Sequence, residues 1–282
     1  MKIHIIGLGL IGGSFALGLR KAFPDLEISG SDSKEEHLLK AKQLKLIDRP
    51  AGLEVVQEVD VVIIAVPVDV ARKVAVEVLD KVGPNTLVFD AGSTKSGLCE
   101  AIASHPNRRN FLAAHPIAGT EFSGPEAAID NLFLNKTNII CEVEKTAFKL
   151  QERALEIFQK LEMRIRYMDP KSHDRHIAYV SHLSHISSFM LGKTVLQKEQ
   201  NEKDIFDLAG SGFASTVRLA KSSPAMWTPI FQQNKENILE TLEEYISNLS
   251  KFKELLENDD FQEVFLDMER TNHIKTILNG IN

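Results

Sequence analysis

The chain has 282 residues, a net charge of −6 and two cysteines, Cys99 and Cys141, far apart in the sequence. That length buries a substantial core without disulfides or metals and suits two domains of ordinary size. The excess of acid argues against a nucleic-acid surface, which needs clustered Lys and Arg, and isolated cysteines fit a reducing cytoplasm better than a disulfide framework.

The predicted elements alternate from the start. "KIHII" (2–6) reads as a buried strand and "IGGSFALGLRKAF" as a helix. "LEISGSD" (26–32) and "KEEHLLKAKQL" repeat the pair. "DVVIIAVP" (60–67) is a continuous β-branched run, the pattern of a strand covered on both faces. "VARKVAVEVLDKV" then reads as a helix that Gly83-Pro84 stops. "TLVFDAGS", "NFLAAHP", "TNIICEV" and "RIRYM" are further strands. The rhythm predicts a mostly parallel, doubly wound sheet with helices on both faces.

It ends near Asp169-Pro170, and no strand is expected beyond. "SHDRHIAYVSHLSHISSFMLGKTVL" reads as a long helix, with shorter helices over roughly 202–221. "PAMWTPIFQQNKENILETLEEYISNLSKFKELLE" reads as one long amphipathic helix with Pro229 still tolerated near its first turn. A last helix is expected over 260–278. The expected domains are 1–168, dinucleotide-binding, and 169–282, all-helical, with apolar helix faces that suit packing on one another or a dimer interface.

The opening "MKIHIIGLGLIGGSFALGL" imitates a signal peptide, but its glycines and the following "RKAFPDLE" argue against one. No uninterrupted apolar run reaches the ~20 residues of a membrane span. A soluble cytoplasmic protein is expected.

"GLGLIG" (Gly7, Leu8, Gly9, Leu10, Ile11, Gly12) follows the first strand and opens the first helix. Gly7 permits a tight turn, Gly9 lets backbone approach a pyrophosphate, and Gly12 allows close helix–strand packing. The helix N-terminus offers N–H groups to phosphates. Asp32, at the end of the second strand, suits the ribose hydroxyls of NAD and repels the 2′-phosphate of NADP, although Ser33 and Lys34 could welcome one. Val66 and Pro67 lie at a strand's carboxyl end, where such folds bind ligands. "DAGSTK" with Ser93, and His115, follow strands on the same side; Ser93 and Thr94 also read as helix caps and Lys95 as a solvated lysine. Beside a nicotinamide, a histidine with a pKa near neutrality takes a proton from a hydroxyl as hydride leaves the same carbon. His182 and His185 share a helix face; without H-E-x-x-H or a nearby cysteine, no metal site is expected. His173 and His176 read as surface residues. Arg218 offers a planar fork for a carboxylate.

Together, "GLGLIGGS", "DAGSTK", "HPIAGTE", "HDRHIAYVSHLSH" and "GFASTVRLAKSSPAMW" resemble the prephenate and arogenate dehydrogenases of tyrosine biosynthesis, in order and across nearly the whole chain. The resemblance implies a Rossmann-like NAD domain followed by a helical dimerisation domain, with the active site between them. It implies oxidative decarboxylation of prephenate in a homodimer. His115 would accept a hydrogen bond from the ring hydroxyl and Ser93 would orient that hydroxyl. Arg218 would bind a substrate carboxylate. Ser181 and His185 would line the pocket, Thr120 and Glu121 would lie at its edge, and Trp227 would help close it. Family members often have Arg-Asp where this chain has Ala214-Ser215, which removes one acidic partner for Arg218. The chain ends soon after the helical segment, which leaves no room in it for a regulatory or mutase domain. Three alternatives remain: an arogenate dehydrogenase, a β-hydroxyacid dehydrogenase with a catalytic lysine, and an NAD-sensing regulator without turnover.

Overall fold

A computed structural model describes residues 1–200, 202 and 204–279. Packing divides the chain into two compact units, Met1–Lys235 and Glu236–Asn282.

The first unit is built on eight strands: β1 (Lys2–Ile6), β2 (Glu27–Ser31), β3 (Arg49–Pro50), β4 (Val61–Ile64), β5 (Leu87–Asp90), β6 (Phe111–Pro116), β7 (Thr137–Cys141) and β8 (Arg164–Met168). Their order across the sheet is β3-β2-β1-β4-β5-β6-β7-β8. All neighbours are parallel except β6 and β7, where His115 lies opposite Ile139. The helices woven through this sheet are α1 (Leu10–Ala22), α2 (Glu35–Gln43), α3 (Val68–Leu79), α4 (Ser96–Ile102) and α5 (Phe148–Lys160).

The apolar run of β4 explains the layering. Val61 and Ile63 join the core on one face, with Phe15 of α1 and Phe158 of α5. Val62 and Ile64 join the core on the other, with Ala75 of α3 and Leu98 of α4. A strand buried on both sides needs no polar alternation. The one polar residue inside β1, His4, is satisfied by the Ser29 and Ser31 hydroxyls at 2.9 and 3.2 Å. Burial pulls its pKa down to about 4, so it sits in the sheet uncharged.

Beyond β8 the first unit is helical: α6 (Pro170–Ile177), a π-helical turn (Ala178–His182), α7 (Leu183–Glu199), α8 (Ser211–Thr216), a 3-10 turn (Arg218–Lys221) and α9 (Pro224–Gln233). Asp169 caps α6, accepting the Ser172 N–H at 2.9 Å. Helix α10 (Lys235–Glu257) begins at the unit's last residue, and the second unit continues with α11 (Phe261–Thr271) and α12 (Ile274–Asn279).

Four expectations change. The stretch 172–196 is helical, but with a π turn, a feature that often marks functional sites. The single helix expected from Pro224 is two, broken at Asn234, whose φ of −110° and ψ of 26° leave the helical region. Pro229 lies beyond the first turn of α9, where it removes one helical hydrogen bond. The last helix is also two, separated at Asn272 and His273. Helix α5 was not anticipated, and Lys203, inside the helical stretch expected over 202–221, lies outside the described residues. Among the described residues no helix is long and apolar enough to cross a membrane.

Phe15 anchors the larger core. Its ring stacks on Phe133 at 4.2 Å and meets the Phe89 edge at 5.5 Å, which ties α1 to the sheet. Phe15→Ala is expected to cost about 3–5 kcal/mol of unfolding free energy by urea titration, whereas a loss under about 1 kcal/mol would contradict this anchoring role.

Candidate active site

The turn between β1 and α1 has the form a dinucleotide needs. Gly7 has φ +91°, and a side chain there would also strike the Ala65 carbonyl. A Cβ on Gly12 would lie 1.9 Å from the Gly7 carbonyl oxygen, so only glycine lets helix and turn pack this closely. A Cβ on Gly9 would meet nothing within 4 Å, which leaves the approach to the α1 N-terminus open. That terminus has no side-chain cap and no acidic residue in its first turn, so the helix begins at Leu10 and Ile11 with N–H groups that no side chain of that turn satisfies. Asp32 accepts the Leu8 N–H at 2.8 Å and the Lys34 N–H at 2.9 Å. Its carboxylate is thereby fixed beside the turn, and His37 stands 3.4 Å away. Val66 and Pro67 close the same edge, with Pro67 at the cap position of α3.

The next two strand ends are joined by a buried ion pair. Lys95 is fully buried, not solvated, and its ammonium donates to the Asp90 carboxylate and to the Ala114 carbonyl, at 2.8 Å for the latter. Asp90 also accepts the Gly92 and Ala114 N–H groups. The residue before His115 is thus held from both sides.

Neither Ser93 nor Thr94 caps α4. Thr94 donates to the Gln233 side chain at 2.7 Å, and Gln233 donates in turn to the Val68 carbonyl. Ser93 is partly exposed and has no hydrogen bond among the described residues. The cap comes from another helix. Asp174 of α6 accepts the Lys95 N–H at 2.7 Å and the Ser96 N–H at 2.8 Å.

His115 meets that helix directly. Its Nδ1 lies 2.8 Å from His173 Nε2, and His173 Nδ1 lies 2.8 Å from Asp174 Oδ1. His173 is buried, which corrects its expected surface position, while His176 is exposed. The pKa of His115 is not near neutrality. Burial first, then unfavourable electrostatic coupling to His173, Lys95 and His182, holds it well below the ordinary histidine range. His182 is also buried and brought down to about 4, chiefly by desolvation. Its Nδ1 lies 3.1 Å from the Asn234 amide nitrogen, which also donates to the Asp174 carbonyl. The break after α9 therefore serves the site: Asn234 leaves the helix and ties α6 to the π turn.

His185 donates through Nδ1 to the Ser181 carbonyl at 2.9 Å and stacks on Trp227 at 3.5 Å between ring centroids. Trp227 is itself buried, in a small cluster with Val68, Ile230 and Phe231. Arg218 is half-exposed and lies 3.5 Å from Glu121. Glu121 thus supplies the acidic partner that Ala214-Ser215 does not. Thr120 turns inward on its own loop and accepts the Phe122 N–H. Among the described residues no three His, Cys, Asp or Glu side chains converge as a metal site, and both cysteines are buried free thiols.

Sequence reasoning missed Lys95, Asp90, His173, Asp174, Gln233 and Asn234. For His173 and Asp174 a signal existed: they stand four and three residues before Ile177, on the buried face of α6. A histidine and a carboxylate on such a face must be paired with something.

The family model of the prephenate dehydrogenase nucleotide-binding domain matches residues 15–167, and that of the prephenate dehydrogenase dimerization domain matches residues 169–270. The prephenate dehydrogenase of Bacillus subtilis is 33% identical over 267 residues, 93% of this chain and 72% of that protein. A structure of Aquifex aeolicus prephenate dehydrogenase, in complex with hydroxyphenyl propionate and NAD⁺, superposes with a TM-score of 0.89 at 32% identity, covering 100% of this chain and 98% of the other. Synechocystis arogenate dehydrogenase superposes with a TM-score of 0.79 at 26% identity, covering 99% of this chain and 100% of the other. With both domain models matched in order and a relative one third identical along most of its length, the chain belongs to the prephenate dehydrogenase family.

Proposed function

We propose that this protein oxidatively decarboxylates prephenate to 4-hydroxyphenylpyruvate with NAD, using His115 as the proton acceptor. The observation that carries this reading is a neutral, buried histidine at the carboxyl end of β6, on the side of the sheet where Gly7, Gly9, Gly12 and Asp32 form a dinucleotide turn. NAD held on that turn supplies the hydride acceptor.

The chain's own residues handle one proton and one orientation. Prephenate is a cyclohexadienol with a carboxylate on the carbon opposite the hydroxyl. His115 takes the hydroxyl proton as the carbon–hydrogen bond breaks and a carbonyl forms. The bond to the carboxylate then breaks, CO₂ leaves, and its electron pair enters the ring. His115 returns its proton to the oxygen, which is now phenolic. The cycle consumes and releases no net proton, so a site closed to solvent is no obstacle. Ser93, at the mouth of the β5–α4 loop, orients the hydroxyl. Arg218 meets a side-chain carboxylate; its distance to Glu121 leaves guanidinium donors for a second partner. Ser181, His185 and Trp227 form the apolar and stacking wall, with Thr120 at its rim.

In this reading residues 1–168 bind the cofactor and residues 169–282 supply the substrate wall and the homodimer contact. The second unit supports the latter. Ile246, Leu249, Phe265 and Met268 are exposed on it. A family model described as a dimerization domain covers most of it. The two free cysteines suit a reducing cytoplasm. One observation favours a second substrate: Glu121 places a carboxylate beside Arg218, and a carboxylate there suits the amine of arogenate.

The test is NADH formation with purified protein, prephenate or arogenate, and NAD⁺ or NADP⁺. Turnover of prephenate with NAD⁺ is the expected result; turnover of arogenate alone keeps the chemistry and moves the substrate. No turnover with any pair, despite NAD binding, contradicts the reading. His115→Asn should lower kcat by roughly 10²–10⁴ while leaving NAD affinity near normal, and a near-normal kcat would remove His115 from its role. Because burial holds the His115 pKa well below 6.5, it stays uncharged above that pH and is lost as a base only in acid. Its limb of the kcat/KM profile should therefore be level from pH 6.5 upward and fall only below it, and a limb centred near 6.5 would contradict this.

A further inference from the structure

Asp174 is placed so that it can only accept. Its Oδ1 takes the Lys95 N–H at 2.7 Å and its Oδ2 takes the Ser96 N–H at 2.8 Å. Burial opposes ionisation, but hydrogen bonding outweighs it and holds the Asp174 pKa below the ordinary carboxylate value, so the carboxylate has no proton to give and its oxygens only accept. The third partner, His173 Nδ1 at 2.8 Å, must therefore also bring a proton. Burial outweighs the opposing pull of Asp174 and holds the His173 pKa below its ordinary value, which keeps the ring neutral at pH 7. A neutral imidazole has one N–H, so His173 Nε2 is bare. That bare nitrogen lies 2.8 Å from His115 Nδ1, which must then carry the proton between them. Only Nε2 of His115 is left as a lone pair.

We propose that Asp174 and His173 are positioning residues that fix the tautomer of His115, leaving its Nε2 as the proton acceptor. A third group often sets which nitrogen of a catalytic histidine is basic. Here the setting takes two steps, from a carboxylate through one imidazole to another. The same carboxylate caps α4, so the tautomer and the start of the helix behind Ser93 depend on one side chain. The identity of the hydroxyl that Nε2 meets rests on the dehydrogenase reading above. The identity of the nitrogen that carries the proton does not.

The experiment is ¹⁵N–¹H NMR of histidine-labelled full-length protein without substrate, with the His115 signals assigned by their loss in His115→Asn. The expected result is a protonated Nδ1 and a bare Nε2. A proton on His115 Nε2 in the unmutated protein would overturn the proposal, whatever the variants do. In His173→Leu the preference should be lost, with kcat falling roughly tenfold or more and the KM for NAD⁺ unchanged. His173→Gln, whose amide oxygen can accept the Nδ1 proton, should restore both the tautomer and most of kcat. An unchanged tautomer and kcat in His173→Leu would also overturn it. Absence of dienol turnover alongside the expected tautomer would sink the substrate reading and leave this one standing.

Discussion

The site depends on one carboxylate at the start of one short helix. Helix α4 begins after Lys95 with no cap from its own loop, and its first N–H groups would be buried without partners. Asp174, from the first helix after the sheet, satisfies two of them and aligns a negative charge with the helix dipole. Ser96 adds a hydrogen bond to the Pro170 carbonyl. On the other side of the same loop, Lys95 reaches down to Asp90 and the Ala114 carbonyl. Removing one member of such a buried pair typically costs about 3–5 kcal/mol, because the remaining charge has no water to turn to. Strands β5 and β6, helix α4 and helix α6 are therefore held in one register, and His115 lies at its centre.

With His115 as the proposed base, this arrangement also accounts for a buried, uncharged histidine. A base that must take a proton and give it back needs no route to solvent. It needs a neutral resting state, a defined lone pair and a nearby charge to balance it while protonated. Desolvation, with Lys95 beside it, supplies the first. The hydrogen bonds through His173 supply the second, and Asp174, two hydrogen bonds away, supplies the third.

Much of the fold was legible because its signals are local. The β-branched run of β4, the Gly7–Gly12 turn and the Gly83-Pro84 stop each act within a few residues, and each predicted strand appears near its expected place. The candidate site residues were named from the short motifs that carry the resemblance. What the sequence hid is non-local. No spacing between Asp174 and Lys95 announces that one caps the helix of the other, 79 residues away. Lys95 read as solvated because lysines usually are, and only the neighbouring Asp90 and the Ala114 carbonyl reverse that. The helix break at Asn234 follows from its bonds to Asp174 and His182, not from its helix propensity.

The central claim is that Asp174 acts on chemistry through His115, and a double-mutant cycle tests it most directly. The kcat for dienol turnover would be measured for Asp174→Asn, His115→Asn and the pair together. The account predicts strong non-additivity: Asp174→Asn slows the unmutated enzyme but changes kcat little once His115 is Asn. Full additivity of the two losses would show that Asp174 serves only to hold the fold, and would contradict the account.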